Sequence, residues 1–148
     1  MNHFKNTFAI LLGVSFALSL TGCFDEKEDL YDILGGVATI SVWTPSKLNP
    51  TAGEAMTVNL RYYSEHAPVQ ELRFYAKVGA DDRVLVETVQ VTNHNVQNSY
   101  ERVFNFTVPV ATPASTVIVF TIEIETLNDL MNSRSTPATG TTGVVRVI

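Results

Sequence analysis

Cysteine is almost absent from this chain: Cys23 is the only one among 148 residues. Without a second thiol no intrachain disulfide can form, so packing and hydrogen bonds alone must hold the fold. Cations are scarce as well, 10 Lys and Arg against 15 Asp and Glu, and they form no run. A formal net charge of −5 without a basic cluster excludes the phosphate-neutralising surface that nucleic-acid binding draws on. No apolar run reaches the ~20 residues a helix needs to cross a hydrocarbon core, and no long segment repeats its apolar positions at helical spacing. There is no Gly-x-Ser-x-Gly nucleophile elbow, and no glycine-rich phosphate loop follows a strand.

What is present begins with a short polar start carrying Lys5, then an apolar run from Thr7 to Leu20, 14 residues thinned by Ser15 and Ser19. That order is the charged region and apolar region of a secretory signal. The run closes on Leu20-Thr21-Gly22-Cys23, which resembles the bacterial lipoprotein box: a branched apolar residue and two small residues before a cysteine. The resemblance implies that Cys23 receives a diacylglyceryl group, that the chain is cut between Gly22 and Cys23, and that the new amino terminus takes a fatty acyl chain such as palmitate. Two or three chains on one residue anchor stably where a single chain binds only marginally. The expected partner of Cys23 is therefore the membrane.

Phe24-Asp25-Glu26-Lys27-Glu28-Asp29 follows, with four carboxylates and one ammonium. Such a stretch is solvated and extended, as a tether must be. An acidic cluster directly behind the lipidated cysteine also resembles the surface-export signal of Bacteroidetes lipoproteins, which implies the outer membrane and its outer face; the periplasmic face is the alternative. The expected organisation is a signal peptide over 1–22, a lipidated acidic tether over 23–36, and one domain over 37–148. Removing the first 22 residues leaves 126 and takes Lys5 with them, so the net charge moves from −5 to −6.

From Ala38 onward, period-two alternation dominates. Ala38–Trp43 reads as a strand with Ile40 and Val42 on one face and Trp43 on the other. Asn49-Pro50-Thr51-Ala52-Gly53 is a turn. Met56, Val58, Leu60 and Tyr62 alternate with polar partners, and Leu72, Phe74, Ala76 and Val78 alternate with Glu71, Arg73, Tyr75 and Lys77. Between Arg83 and Val91 the phase slips, from Val84 and Val86 to Val89 and Val91, which predicts a bulge or two short edge strands. Thr92–Ser99 reads as a polar loop, and Tyr100, Phe104, Phe106 and Val108 as a strand. Val117–Glu125 reads as the longest strand, apolar on both faces in its first half and so central. Leu127–Thr139 reads as a loop and Val144–Ile148 as a final strand. About seven short strands joined by turns predict an all-β fold, a β-sandwich, with a small barrel as the alternative.

Asn49-Pro50-Thr51-Ala52-Gly53-Glu54 ahead of a strand is similar to the first turn of bacterial immunoglobulin-like domains. Ile122-Glu123-Ile124-Glu125-Thr126, followed by Asn128-Asp129 and a Val-rich end, resembles their last two strands. The resemblance implies an immunoglobulin-like sandwich over about Ala38–Ile148, although this chain lacks their inter-sheet cysteine pair and a core tryptophan in the third strand.

Candidate chemistry is sparse. Glu123 and Glu125 lie two apart on one strand face, about 6.5 to 7 Å between side-chain origins, a separation at which two carboxylates can hold a cation or act as acid and base; the simpler reading pairs them with the row Arg73, Tyr75 and Lys77 on the next strand. His66 and His94 fall in loops without a third ligand at zinc spacing. Asp81, Asp82 and Asp129 are candidate calcium contacts without the alternating oxygens such a site needs. No catalytic residue, metal or cofactor is expected. Trp43, Tyr63 and Tyr75, all on outward phases, are the candidate contacts for a sugar ring or protein partner; the alternative for Trp43 is to fold over the open end of the sandwich. The expectation is thus a non-enzymatic, lipid-anchored outer-membrane lipoprotein acting as a binding or accessory module. Two other readings stay open, a lipid-anchored hydrolase acting on surface polymers and a structural subunit of an envelope assembly.

Overall fold

The computed structural model describes residues 36–140 and 142–148. The signal segment, Gly22, Cys23 and the tether before Gly36 lie outside them. Eight strands follow in order: β1 (Thr39–Pro45), β2 (Ala55–Tyr63), β3 (Val69–Val78), β4 (Val84–Gln90), β5 (Tyr100–Thr107), β6 (Val117–Thr126), β7 (Met131–Ser135) and β8 (Val145–Arg146). They form two antiparallel sheets, one ordered β1-β2-β5 and the other β4-β3-β6-β7, with β8 also on β6. This strand order is that of an immunoglobulin-like sandwich. The edge strands β4 and β5 do not pair, so the sheets never close into a barrel. No helix among the described residues is long and apolar enough to cross a membrane.

The alternation read from β2, β3 and β6 sets the core. Val58, Leu60, Leu72, Phe74, Ile118, Phe120, Ile122 and Ile124 are all essentially without solvent exposure and fill the space between the sheets. β6 lies between β3 on one side and β7 and β8 on the other, as its doubly apolar first half predicts. The slip between β3 and β4, where Phe74 faces Glu87 and Tyr75 faces Leu85, leaves Val86 as the extra residue of the predicted bulge.

Trp43 corrects the sequence reading. Ile40 pairs with Tyr62 and Val42 with Arg61, so Ser41 is an extra residue and the phase of β1 inverts there. Val42 turns outward and Trp43 inward, 6% exposed, with its ring edge-on to Phe74 at 5.7 Å and to Phe104 at 6.1 Å. Its indole N–H donates to the Phe120 carbonyl at 3.1 Å, which satisfies the one polar atom of a buried tryptophan. Neither an exposed strand end nor a cover over the open sandwich describes it. Deleting Ser41 is therefore expected to keep the fold. The remaining sequence already alternates with Ile40 and Trp43 inward, and only the Ser41 hydroxyl bond to the Arg61 carbonyl is lost, a change of about 1 kcal/mol or less. Unchanged Trp43 fluorescence with a near-native urea midpoint would confirm it, whereas a red-shifted emission would show the register had moved.

A second correction concerns the far edge. Met131–Ser135, expected to be loop, is β7, pairing with Thr121–Glu125 of β6. After it the ladder is carried by one residue: the Thr136 amide donates to the Phe120 carbonyl at 2.9 Å, and the Phe120 amide donates to Thr136 Oγ1 at 3.0 Å. The chain then loops out and returns as β8, only two residues long rather than the strand expected over Val144–Ile148. β7 also covers β1, since Asn132 Nδ2 donates to the Ala38 carbonyl at 2.7 Å and Arg134 Nη1 to the Ile40 carbonyl at 3.0 Å.

Candidate functional site

The three aromatic candidates do not converge. Trp43 is in the core. Tyr63 ends β2 half-buried and lines a hollow of about 500 Å³ with Glu65, His66 and Gln97. Tyr75 stands on the outer face of β3 under the Arg83 guanidinium, 4.0 Å from ring centroid to Cζ. Burial, then the hydrogen bond and charge of Glu123, push the Tyr75 hydroxyl above its usual range. Tyr63 and Tyr75 therefore sit on separate surfaces.

The paired carboxylates are occupied. Glu123 binds Arg83 Nη1 at 2.8 Å, while Glu125 binds Arg73 Nη2 and accepts from Gln70 Nε2 at 3.0 Å. Arg73 also pairs with Glu71. Burial works against the Arg73 charge, but the Glu125 bond and the Glu71 and Glu125 charges outweigh it and hold the guanidinium above its usual range. The cross-strand ion pair holds for Glu125, whose cation is Arg73 of the expected row, whereas the cation of Glu123 is Arg83, which lies just before β4 and outside that row. Arg73→Ala should cost about 1–2 kcal/mol, because it leaves two partly buried carboxylates facing each other. Arg83→Ala, at a more exposed pair, should cost under about 1 kcal/mol. Urea midpoints of the two variants check that order.

Asp81 and Asp82 occupy the β3–β4 turn and Asp129 the β6–β7 turn, at opposite ends of the sandwich, so they cannot share a cation. Among the described residues no group of three His, Cys, Asp or Glu is placed to hold a metal ion. His66 is exposed in the β2–β3 loop, whereas His94 is 7% exposed.

The surface that sequence reading passed over lies at the end opposite Gly36. Between the β3–β4 turn and the β5–β6 loop is a groove of about 370 Å³ lined by Val78, Ala80, Pro109, Ala111, Pro113 and Thr116. Val110 beside it is 84% exposed, and Val84, Leu85, Leu48 and Ile148 add apolar surface at the same end. The loops here are pinned from behind. Gly53, at φ +79°, donates its amide to the Val108 carbonyl at 3.0 Å, and the Val108 amide donates to the Glu54 carbonyl at 2.9 Å. Glu54 in turn caps its own turn through the Thr51 amide at 2.8 Å and pairs with Lys47, which together hold its carboxyl below the usual range, the Lys47 bond first. The signal in the sequence was the pair Pro109 and Pro113 bracketing Val110, which fixes φ twice in one loop.

Fold and surface together define an immunoglobulin-like β-sandwich whose end loops, held by rigid sheets, offer shallow apolar and polar hollows. Solved structures of low sequence identity share the fold, among them the following two. The sporulation control protein Spo0M of Bacillus subtilis matches at 15% identity and a TM-score of 0.51, over 76% of this chain and 49% of that one. A Niemann-Pick type C2 protein from the Japanese carpenter ant matches at 12% identity and a TM-score of 0.52, over 77% of this chain and 95% of that one. The chain thus spans about half the length of the first. No protein-family model and no curated protein sequence matches it.

Proposed function

We propose that the protein is a lipid-anchored outer-membrane lipoprotein, similar to the surface lipoproteins of Bacteroidetes, that acts as a non-enzymatic binding or accessory module for a protein or glycan partner. The observation that carries this reading is Leu20-Thr21-Gly22-Cys23, the only cysteine in the chain, followed at once by the acidic tether. The sandwich adds support: its ends carry loops on a rigid frame, the usual place for a binding site. Chain entry at Gly36, beside His66, leaves the groove around Pro109 and Pro113 at the other end.

The test is protease treatment of intact cells, set beside capture of partners from solubilised membranes and binding to a glycan array. Removal of the domain from intact cells with specific capture of one protein or glycan class supports the proposal. Full protection refutes the surface assignment. Turnover of a surface polymer by the purified protein would refute the non-enzymatic reading.

A further inference from the structure

The loop between β4 and β5, residues 91–99, carries a buried histidine with nothing to bond. His94 is packed against two tyrosine rings, Tyr100 at 4.5 Å with a 32° tilt and Tyr62 at 5.8 Å with a 21° tilt. Neither imidazole nitrogen has a hydrogen-bond partner, and neither does Ser64 Oγ at the end of β2. A neutral imidazole carries one donor and one acceptor, an imidazolium two donors and a charge. The closed loop tolerates the first form poorly and the second worse, since a buried charge without an acceptor loses its hydration for no return. Desolvation alone accordingly pushes the imidazole below its ordinary range.

The groups around the ring offer no counter-charge. From β2 comes the Tyr62 ring, with Arg102 of β5 acting on the Tyr62 hydroxyl. From β5 comes Tyr100, whose hydroxyl accepts from the Asn95 amide at 2.9 Å. On the β2–β3 loop the titratable groups are Glu65 and His66, which line the neighbouring hollow with Tyr63 and Gln97. Glu101 is turned to Arg61. The loop is tied at its start, where the Val91 amide donates to the Gln70 carbonyl at 2.8 Å, and further on the Gln97 amide donates to the Ser64 carbonyl at 2.7 Å and the Asn98 amide to the Asn95 carbonyl at 3.3 Å. Two of its non-glycine residues, Asn93 at φ 61° and Gln97 at φ 71°, sit in the left-handed region, where side chains are strained.

We propose that residues 91–99 form a proton-operated latch: a neutral His94 holds the loop closed over Tyr62 and Tyr100, and protonation releases it, exposing that aromatic pair at the Gly36 end of the sandwich. The sign follows from linkage. In the open loop His94 takes its proton near the ordinary value of about 6.5, while the closed loop resists it to lower pH. Closure is therefore fully favoured above about pH 6.5 and weakens as pH falls from there towards the closed-state value, with the open population rising about tenfold per pH unit across that window.

Hydrogen exchange of the full-length chain in detergent, followed by mass spectrometry and corrected for the intrinsic pH dependence of exchange, tests this. Peptides covering 91–99 should lose protection about tenfold per unit below pH 6.5, while peptides of β6 should not change. His94→Phe fills the same space without a titrating group and should remove the pH dependence; His94→Gln serves if the phenylalanine variant fails to fold. Loss of protection with the same pH profile in either folded variant would overturn the latch. So would a wild-type loop whose protection stays constant from pH 7.5 to 4.5.

Discussion

Replacing Trp43 with alanine is expected to cost about 3–5 kcal/mol, a large share of the 5–15 kcal/mol by which a single domain is usually stable. The indole fills the centre of the core, edge-on to both Phe74 and Phe104, and those two rings lie 5.0 Å apart with Phe74 a further 5.7 Å from Phe120. Removing it opens a cavity that four strands border, β1, β3, β5 and β6, and strands locked into two ladders cannot collapse to fill it. The hydrogen bond is the smaller part of the loss. The Phe120 carbonyl keeps the Thr136 amide as a donor when the indole is gone, so no buried acceptor is orphaned. Trp43→Phe, which keeps most of the volume, should therefore cost only about 1–2 kcal/mol.

Because Trp43 is the only tryptophan, its fluorescence in the wild-type protein reports the core directly and should be blue-shifted until the cooperative unfolding transition. Far-UV circular dichroism must follow the variants. A Trp43→Ala variant within 1 kcal/mol of wild type would mean that the indole does not occupy the centre of the sandwich.

The inversion at Trp43 shows what kind of information strand patterns carry. Where one face is buried and the alternation is unbroken, as in β2, in β3 from Leu72 onward and in β6, the pattern states both the strand and its inward face, and each was legible. The Val86 bulge was legible too, because Val84 before it and Val89 and Val91 after it register the slip. The bulge at Ser41 was not, because a serine fits either face and only the pairing with Tyr62 and Arg61 shows that it is extra. β7 failed for a related reason. Met131-Asn132-Ser133-Arg134-Ser135 has no β-branched residue, and it is a strand because β6 needs a partner and because Asn132 and Arg134 reach carbonyls 94 residues away. His94 was hidden by its surroundings: among asparagines a histidine reads as solvated, and only the rings of Tyr62 and Tyr100 make it buried. Of the two candidate acids, Glu125 was legible as ion-paired because Arg73 was visible in a second alternating row, but the partner of Glu123 was not, because Arg83 reaches it from the turn before β4.

Cys23→Ala should abolish retention on the membrane, the largest functional effect expected of any single substitution in the chain. On the proposed reading the thiol is the only point of covalent attachment, since no other cysteine exists to receive lipid. Nor can the neighbouring residues substitute for it electrostatically. Asp25, Glu26, Glu28 and Asp29 outnumber Lys27, and anionic membranes attract basic segments, at about 1 kcal/mol per Lys or Arg near the surface, and repel acidic ones. The lipid must therefore supply all of the binding, at about 0.8 kcal/mol per buried methylene. A wild-type protein held this way should stay with membranes through a high-salt wash, because salt weakens only the electrostatic part. The alanine variant keeps the Thr7–Leu20 run, but its 14 residues are shorter than the ~20 that span a bilayer as a helix. Fractionation before and after the wash is the measurement, with intact mass of the wild-type protein showing the diacylglyceryl and acyl groups. A variant still sedimenting with washed membranes would show that something other than Cys23 holds the domain there.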